Sequence, residues 1–297
     1  MSRPGKRATA EQVTAGIDLT GKTAVITGVN TGLGYESMRV LALRGAHVLG
    51  TTRSAETGRS ACAAVVGQAT PLVMDLADFD SVVRCADRIA ARGLPIDMLI
   101  CNAGILLRGL EQVRGLERQF VVNHLGHFIL VNRLLAQVEA AAQGRVVVVG
   151  SEAHRRVAAR AGIQFDDLSG QHSAGLTAYG QSKLANGLFA FELARRLEGR
   201  RATSNVLHPG VVRTQIARYL AGWQRAAFEA IGALFFKSVA QGAATICYVA
   251  TDPSLADVSG RYFADCRPVT PSARMLDESL AAKLWAVSEE LTRDYLL

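Results

Sequence analysis

Two rhythms of apolar residues alternate along this chain. Short, often β-branched and mostly apolar runs occupy residues 23–27, 47–51, 70–74, 97–101, 145–150, 203–207 and 260–263. Runs of that length bounded by turn residues predict strands, and the run of four valines at 146–149 predicts one buried on both faces. Between them lie stretches whose apolar positions recur every three or four residues, the period of a helix with one buried face. These predict helices from the glycines after residue 28 to Arg44, then over 58–66 and 79–92, the last with Val82, Val83, Cys85 and Ile89 inward. A long helix is predicted over 116–135, carrying Phe120, Val121, Leu125, Phe128, Val131 and Leu135. Another runs through Leu184, Leu188, Phe191 and Leu193 to a stop at Gly199, and two more cover 238–250 and 277–292. Pro71 stands at the start of its strand, where proline is tolerated. Strands alternating with helices predict right-handed βαβ units and a doubly wound α/β fold with a parallel sheet.

In such sheets ligands bind at the carboxyl ends of the strands. Several residues fit for chemistry fall on that edge. After the first strand comes Gly28-Val29-Asn30-Thr31-Gly32-Leu33-Gly34, then a helix. Strand, glycine turn and helix present backbone N–H groups to a diphosphate, and glycine allows close approach. Arg53, Asp75 and Asn102-Ala103-Gly104 follow the second, third and fourth strands. Ser151 follows the fifth, where it either caps a turn or aims its hydroxyl at a reacting carbonyl. His208-Pro209-Gly210 follows the sixth.

Tyr179 and Lys183 stand four apart on a predicted helix and so share one face. A phenol titrates near pH ~10, and a neighbouring positive charge favours its ionised form. So placed, a tyrosine can exchange a proton with a carbonyl oxygen; the alternative is a surface tyrosine above a solvated lysine. Asn123 lies inside the long apolar helix, where it must be either exposed or hydrogen-bonded. The stretch 152–177 is polar and is expected to be irregular. Residues 211–237 are amphipathic, with Ile216, Tyr219, Leu220, Trp223, Phe228, Ile231, Leu234, Phe235 and Phe236, and serve either as core or as an apolar lid over a substrate.

Composition narrows the classes. The chain has 297 residues, 49% of them hydrophobic, enough for a sizeable core. No linker divides it, so a single domain over 17–297 is expected, preceded by a polar arm at 1–16 that is expected to be mobile. No apolar stretch is long enough for a membrane span, and no signal-peptide core follows the arm. The net charge is +7, but the arginines are scattered and no basic stripe with interleaved aromatics suggests nucleic acid. The five cysteines (Cys62, Cys85, Cys101, Cys247, Cys266) fit neither a zinc site nor a disulfide framework, so free thiols and a cytoplasmic location are expected. His124, His127 and His154 are too sparsely partnered to suggest a metal.

Together, Thr27-Gly28-Val29-Asn30-Thr31-Gly32-Leu33-Gly34, Asn102-Ala103-Gly104, Asn123, Ser151, Tyr179 with Lys183, and Pro209-Gly210 resemble the short-chain dehydrogenase/reductase family from about residue 21 to the end. The segments Val122-Asn123-His124-Leu125-Gly126-His127-Phe128, Ser151-Glu152-Ala153-His154 and Ser182-Lys183-Leu184-Ala185-Asn186 are similar to its retinol-dehydrogenase-like branch. The long spacer from Ser151 to Tyr179 is also similar. The membrane anchor frequent in animal retinol dehydrogenases is missing, which puts retinol itself in question.

The resemblance implies a Rossmann-type domain with a seven-stranded parallel sheet and NAD(P)-dependent interconversion of an alcohol and a carbonyl. It implies Tyr179 as general acid/base and Lys183 as its tuning cation and a partner of the nicotinamide ribose. Ser151 would hold the substrate oxygen, and Asn123 a water that relays protons. It implies cofactor contacts from Gly28, Asn30, Thr31, Gly32, Leu33 and Gly34 at the diphosphate. Further cofactor contacts are implied from Arg53, Asp75, Leu76, Asn102, Ala103, Gly104, Tyr179, Lys183, Pro209, Gly210 and Thr214. NAD-binding sites commonly place an acidic residue after the second strand. Arg53 stands there instead, and the family pattern then implies NADP(H). A hydrophobic small-molecule substrate is expected, with no nucleic acid partner; a homo-oligomer is compatible. The competing readings are an extended sugar-nucleotide epimerase or dehydratase, disfavoured by the glycine spacing, and a catalytically idle NADP-binding regulator.

Overall fold

Strands β1 (Thr23–Thr27), β2 (His47–Thr52), β3 (Gln68–Val73), β4 (Met98–Cys101), β7 (Arg145–Val149), β8 (Thr203–His208) and β9 (Tyr262–Ala264) form within two residues of where the sequence predicts them. The computed structural model describes residues 5–158, 162–212 and 236–296. These seven strands are mutually parallel, and a two-residue strand β10 (Arg267–Pro268) is added antiparallel at one edge. The order across the sheet is β10-β9-β8-β7-β4-β1-β2-β3. The chain therefore winds outward from β1 to β3, returns to β4 beside β1, and winds the other way. The crevice between the ends of β1 and β4 is the topological switch point, where doubly wound sheets bind ligands. Pro71 lies on β3, an edge strand, where its missing N–H disturbs only one ladder.

Successive side chains alternate between two helix layers, as the pleat requires. Val25, Leu49, Leu99, Val146, Val148 and Val206 face α4 (Phe79–Ala90), α6 (Gly126–Ala140), α8 (Leu176–Arg196) and α10 (Glu278–Thr292). Ala24, Ile26, Val48, Ile100, Val147, Val149 and Leu207 face α2 (Gly32–Leu43) and the helix α9 (Val239–Thr251). The short helix α3 (Ala55–Ala63) closes the β2 side through Ala61 and Cys62. In the first layer Trp285 of α10 stacks on Phe189 with centroids 5.7 Å apart and meets Phe128 edge-on at 5.0 Å. All five cysteines are buried and unpaired.

The structure departs from the sequence pattern in four places. Residues 10–13, expected within a mobile arm, form the helical turn α1 (Ala10–Val13). Thr9 and Gln12 close a capping box on it, and Ala10 is fully buried against α9 and α2. The helix expected over 116–135 is not continuous. Gln112–Val113 and Leu116–Glu117 pair as the hairpin β5–β6, and Glu117 caps the turn α5 (Arg118–Phe120). A π-turn follows at Val121–Leu125, and α6 then continues to Ala140. Within 152–177, expected to be irregular, lie the helix α7 (His154–Ala158) and a 3₁₀ turn at Phe165–Asp167. The edge strand after 260 is two residues later than predicted and gains β10. The amphipathic lobe expected at 211–237 falls outside the described residues except for 211, 212, 236 and 237.

Candidate active site

Between β1 and α2 the glycine turn is shaped by close approach. Gly28 adopts φ +74° and Gly32 φ +62°, in the left-handed region. At Gly34 a Cβ would lie 2.2 Å from the carbonyl oxygen of Gly28 and 2.5 Å from Asn102 Nδ2, so only glycine lets α2 start here. The position of Gly32, by contrast, borders open space. Thr31, the N-cap of α2, makes no side-chain bond to the first turn, whereas Ser54, Asp78, Ser238 and Asp277 all cap their helices. The first amides of α2 thus face outward uncapped, the arrangement that receives a diphosphate. Asn30 and Thr31 are exposed beside them, and Leu33 is buried.

Across the switch point, Thr27 ties the end of β1 to the turn after β4. Its Oγ1 accepts the backbone N–H groups of Asn102 at 3.0 Å and Ala103 at 2.9 Å. Asn102 Nδ2 returns a bond of 2.8 Å to the carbonyl of Thr27. Asn123 is fully buried and hydrogen-bonded. Its Oδ1 accepts the Ile105 amide at 2.7 Å, and its Nδ2 donates to the Ile105 carbonyl at 3.0 Å and to Ser182 Oγ at 2.9 Å. Ser182 in turn donates to the carbonyl of Tyr179 at 2.8 Å. A Cβ at Gly104 would sit 3.2 Å from Asn123 Oδ1 and 3.4 Å from Lys183 Nζ, so these groups converge on one point.

Helix α8 carries Tyr179 and Lys183 along the end of β7. The Lys183 ammonium lies 5.7 Å from the centroid of the Tyr179 ring. It is 3% exposed and donates to the Val149 carbonyl at 2.9 Å. Burial lowers its pKa to about 8. An ammonium has three protons, and Val149 is its one hydrogen-bond acceptor among the described residues. Two donors are left for a ribose hydroxyl and a water, so the residues fit the nicotinamide end of a dinucleotide. Tyr179 is half-buried. Ser151 Oγ accepts the Ala153 amide at 3.2 Å, which leaves its proton for a substrate oxygen. His154 fixes that turn, with Nδ1 donating to the Ser151 carbonyl at 2.6 Å and Nε2 accepting the Ser272 amide at 3.2 Å.

The remaining sequence candidates are spread along the same edge. Arg53 is exposed at the end of β2. Asp75 accepts the Ala77 amide at 2.9 Å, and buried Leu76 packs against Gly126, where a Cβ would meet its carbonyl at 2.6 Å. Pro209 and Gly210 follow β8. Gly210 has φ +92°, and a Cβ there would strike Lys237, which pairs with Asp265 at 2.7 Å. Thr214 lies outside the described residues. Among the described residues no cluster of histidine, cysteine and carboxylate groups could hold a metal, and no helix is long and apolar enough to cross a membrane.

Ser182, Thr27 and His127 were not singled out by the sequence pattern as site residues. His127 Nε2 lies 2.9 Å from Thr27 Oγ1 and its Nδ1 3.1 Å from the Asn123 carbonyl. Its spacing of four from Asn123 was the available signal. The spacing says nothing about the strand the ring reaches.

Comparison with known proteins agrees with this geometry. Residues 22–163 match the family model for short chain dehydrogenases. Short-chain dehydrogenase TIC 32 A, chloroplastic, from Brassica napus is 39% identical over 97% of this chain and 93% of its own length. Retinol dehydrogenase 14 from Homo sapiens is 39% identical over 91% of this chain and 85% of its own. A crystal structure of an uncharacterized protein from Mycobacterium paratuberculosis superposes with a TM-score of 0.75 at 33% identity, over 94% of this chain and 97% of that one. A candidate NAD(P)-dependent gluconate 5-dehydrogenase from Beutenbergia cavernae, solved with NADP at low occupancy, gives 0.65 at 27% identity over 84% and 96%. The chain belongs to the short-chain dehydrogenase/reductase family, and is an NAD(P)-linked oxidoreductase acting on CH–OH groups.

Proposed function

We propose that the chain is an NADP(H)-preferring enzyme that interconverts alcohol and carbonyl groups on hydrophobic small molecules in the cytoplasm. The observation that carries the reading is the buried Lys183, one turn from Tyr179, with two ammonium protons left for ligands. In the reducing direction Tyr179 gives its proton to the carbonyl oxygen as negative charge develops there. Lys183 stabilises the phenolate that remains. Ser151 donates a hydrogen bond to the same oxygen, aimed where the charge grows. Lys183 then gives up a proton that restores the Tyr179 phenol, and Asn123, held by Ile105 and Ser182, positions the water that returns a proton to Lys183. Gly28 to Gly34 and the start of α2 would hold the diphosphate, with Asp75, Leu76, Asn102 to Gly104, Pro209 and Gly210 along the rest of the cofactor path. The chemistry a bound nicotinamide supplies is hydride transfer with the substrate carbon.

Apolar residues at the mouth support the substrate class. Leu176 lies three residues before Tyr179 on the same helix and is 59% exposed, and Val211 follows Gly210 at 49%. Arg53 supports the cofactor preference, since a guanidinium bonds a 2′-phosphate that a carboxylate would repel. The test is a panel of aldehydes and ketones with wild type and Tyr179→Phe. We expect apolar compounds such as octanal to be turned over faster than short sugars or hydroxy acids. The variant should bind NADPH normally and lose about 10²-fold or more in turnover. Wild-type turnover in the variant would defeat the reading.

A further inference from the structure

We propose that His127 is a positioning residue that couples the dinucleotide turn to the Asn123 turn, each nitrogen of its ring serving one of them. The inference rests on the cofactor and proton-relay reading above.

The hydrogen-bond directions fix the ring. Thr27 Oγ1 already accepts two backbone N–H groups, from Asn102 and Ala103. Its single proton is therefore free to go outward, and the acceptor within reach is His127 Nε2 at 2.9 Å. An accepting Nε2 places the ring proton on Nδ1. That N–H points at the carbonyl of Asn123, 3.1 Å away. The ring is 2% exposed, so no solvent competes for either nitrogen. Burial is the main reason its pKa is pushed down to about 4, and the ring is neutral at working pH.

The Asn123 carbonyl belongs to a π-turn. In this segment the ladder is shifted, and the Gly126 amide bonds Val121, five residues back. The His127 ring, one residue on, adds a side-chain bond to the Asn123 carbonyl within that shifted turn. The same ring thus reaches from the turn that presents Asn123 to the strand end whose hydroxyl shapes Asn102 and Ala103. Displacing it would disturb both the nicotinamide cradle and the relay, although it touches neither cofactor nor substrate.

Isosteres separate the two bonds. The amide nitrogen of asparagine reaches about as far as Nδ1, and the amide oxygen of glutamine about as far as Nε2. His127→Asn keeps the bond to the Asn123 carbonyl and gives up Thr27. His127→Gln does the reverse, and His127→Phe keeps only the volume. NADPH affinity is measured by fluorescence titration, kcat with the fastest aldehyde of the panel, and fold by thermal melting. We expect His127→Phe to lose roughly three- to tenfold in both affinity and kcat, the weight of one neutral hydrogen bond each. His127→Asn should recover kcat but not affinity, and His127→Gln affinity but not kcat. Equal losses in all three variants, losses that track melting temperature alone, or a wild-type His127→Phe would overturn the proposal. Binding needs no turnover, so the affinity pattern tests the Thr27 link even where Tyr179→Phe has defeated the catalytic reading.

Discussion

Replacing Lys183 by methionine should inactivate the enzyme and make the unliganded protein more stable. The side chain is 3% exposed and its pKa is lowered from 10.5 to about 8 by burial. A difference of about 2.5 units corresponds to roughly 3 kcal/mol against the charged form. Below pH 8 the lysine is charged both folded and unfolded, and the whole cost is present. Between pH 8 and 10.5 the folded protein releases the proton that the unfolded chain still holds, so the cost fades as pH rises. Methionine removes the charge at similar volume. It also removes the bond to Val149, but that carbonyl keeps Asn186 Nδ2 as a donor at 3.3 Å, so the loss is about 1 kcal/mol. The net expectation at pH 7 is a gain of about 2 kcal/mol, a rise of several degrees in Tm for a chain of this size. Urea unfolding of both proteins between pH 7 and 10 measures it, as the difference between wild type and variant isolates this one group. A variant less stable than wild type at pH 7, or an advantage that does not shrink above pH 8, refutes the reasoning.

Arg53→Ala should weaken NADPH binding by roughly ten- to a hundredfold, the weight of one charge-assisted hydrogen bond, and leave NADH nearly unchanged. Fluorescence titration with both cofactors checks it, and equal losses would make Arg53 a structural residue. Gly34→Ala places a Cβ 2.2 Å from the Gly28 carbonyl and should cost about 1–3 kcal/mol in denaturant unfolding, with loss of NADPH binding. Ser288→Ala removes the partner of His124, whose Nε2 lies 2.8 Å from Ser288 Oγ, while Nδ1 has no partner among the described residues. With both nitrogens then unmatched in an aromatic pocket, a loss of about 1–3 kcal/mol in unfolding is expected.

Most of the frame was readable from the chain because each strand decides its own burial. Four consecutive valines can satisfy both helix layers only inside a parallel sheet, and a run of that kind carries its conformation with it. The edge was readable for the same reason. Residues just past strand ends must lie at one rim once the strands are parallel, which puts Gly28, Arg53, Asp75, Asn102 and Ser151 on a common line. The break in the helix at Asn123 was not readable. Its apolar spacing continues through 121–125, and the backbone that holds the Asn123 side chain, that of Ile105, lies eighteen residues upstream. A capping glutamate at 117 likewise turns Leu116 into a hairpin residue against its own periodicity. The same limit hid α1, where a single buried alanine and a local capping box outweigh a polar composition.

The polar residues of the site divide into two kinds, and the division says where ligand energy goes. Thr27, Asn123 and Ser182 are fully buried, and His127 nearly so, each with its side-chain donors answered within the protein. A network of that kind is rigid, since any displacement leaves a buried donor or acceptor unmatched. Lys183 is as deeply buried, yet its charge has one acceptor among the described residues where it can use three. The strain of the unliganded site is thus gathered on the one side chain that a ribose and a water would complete. Binding that supplies those acceptors relieves the cost of the buried ammonium and raises its pKa again. Cofactor at one fixed concentration should therefore stabilise wild type by more than Lys183→Met, because only in wild type does the ligand meet an unanswered charge and so bind the tighter.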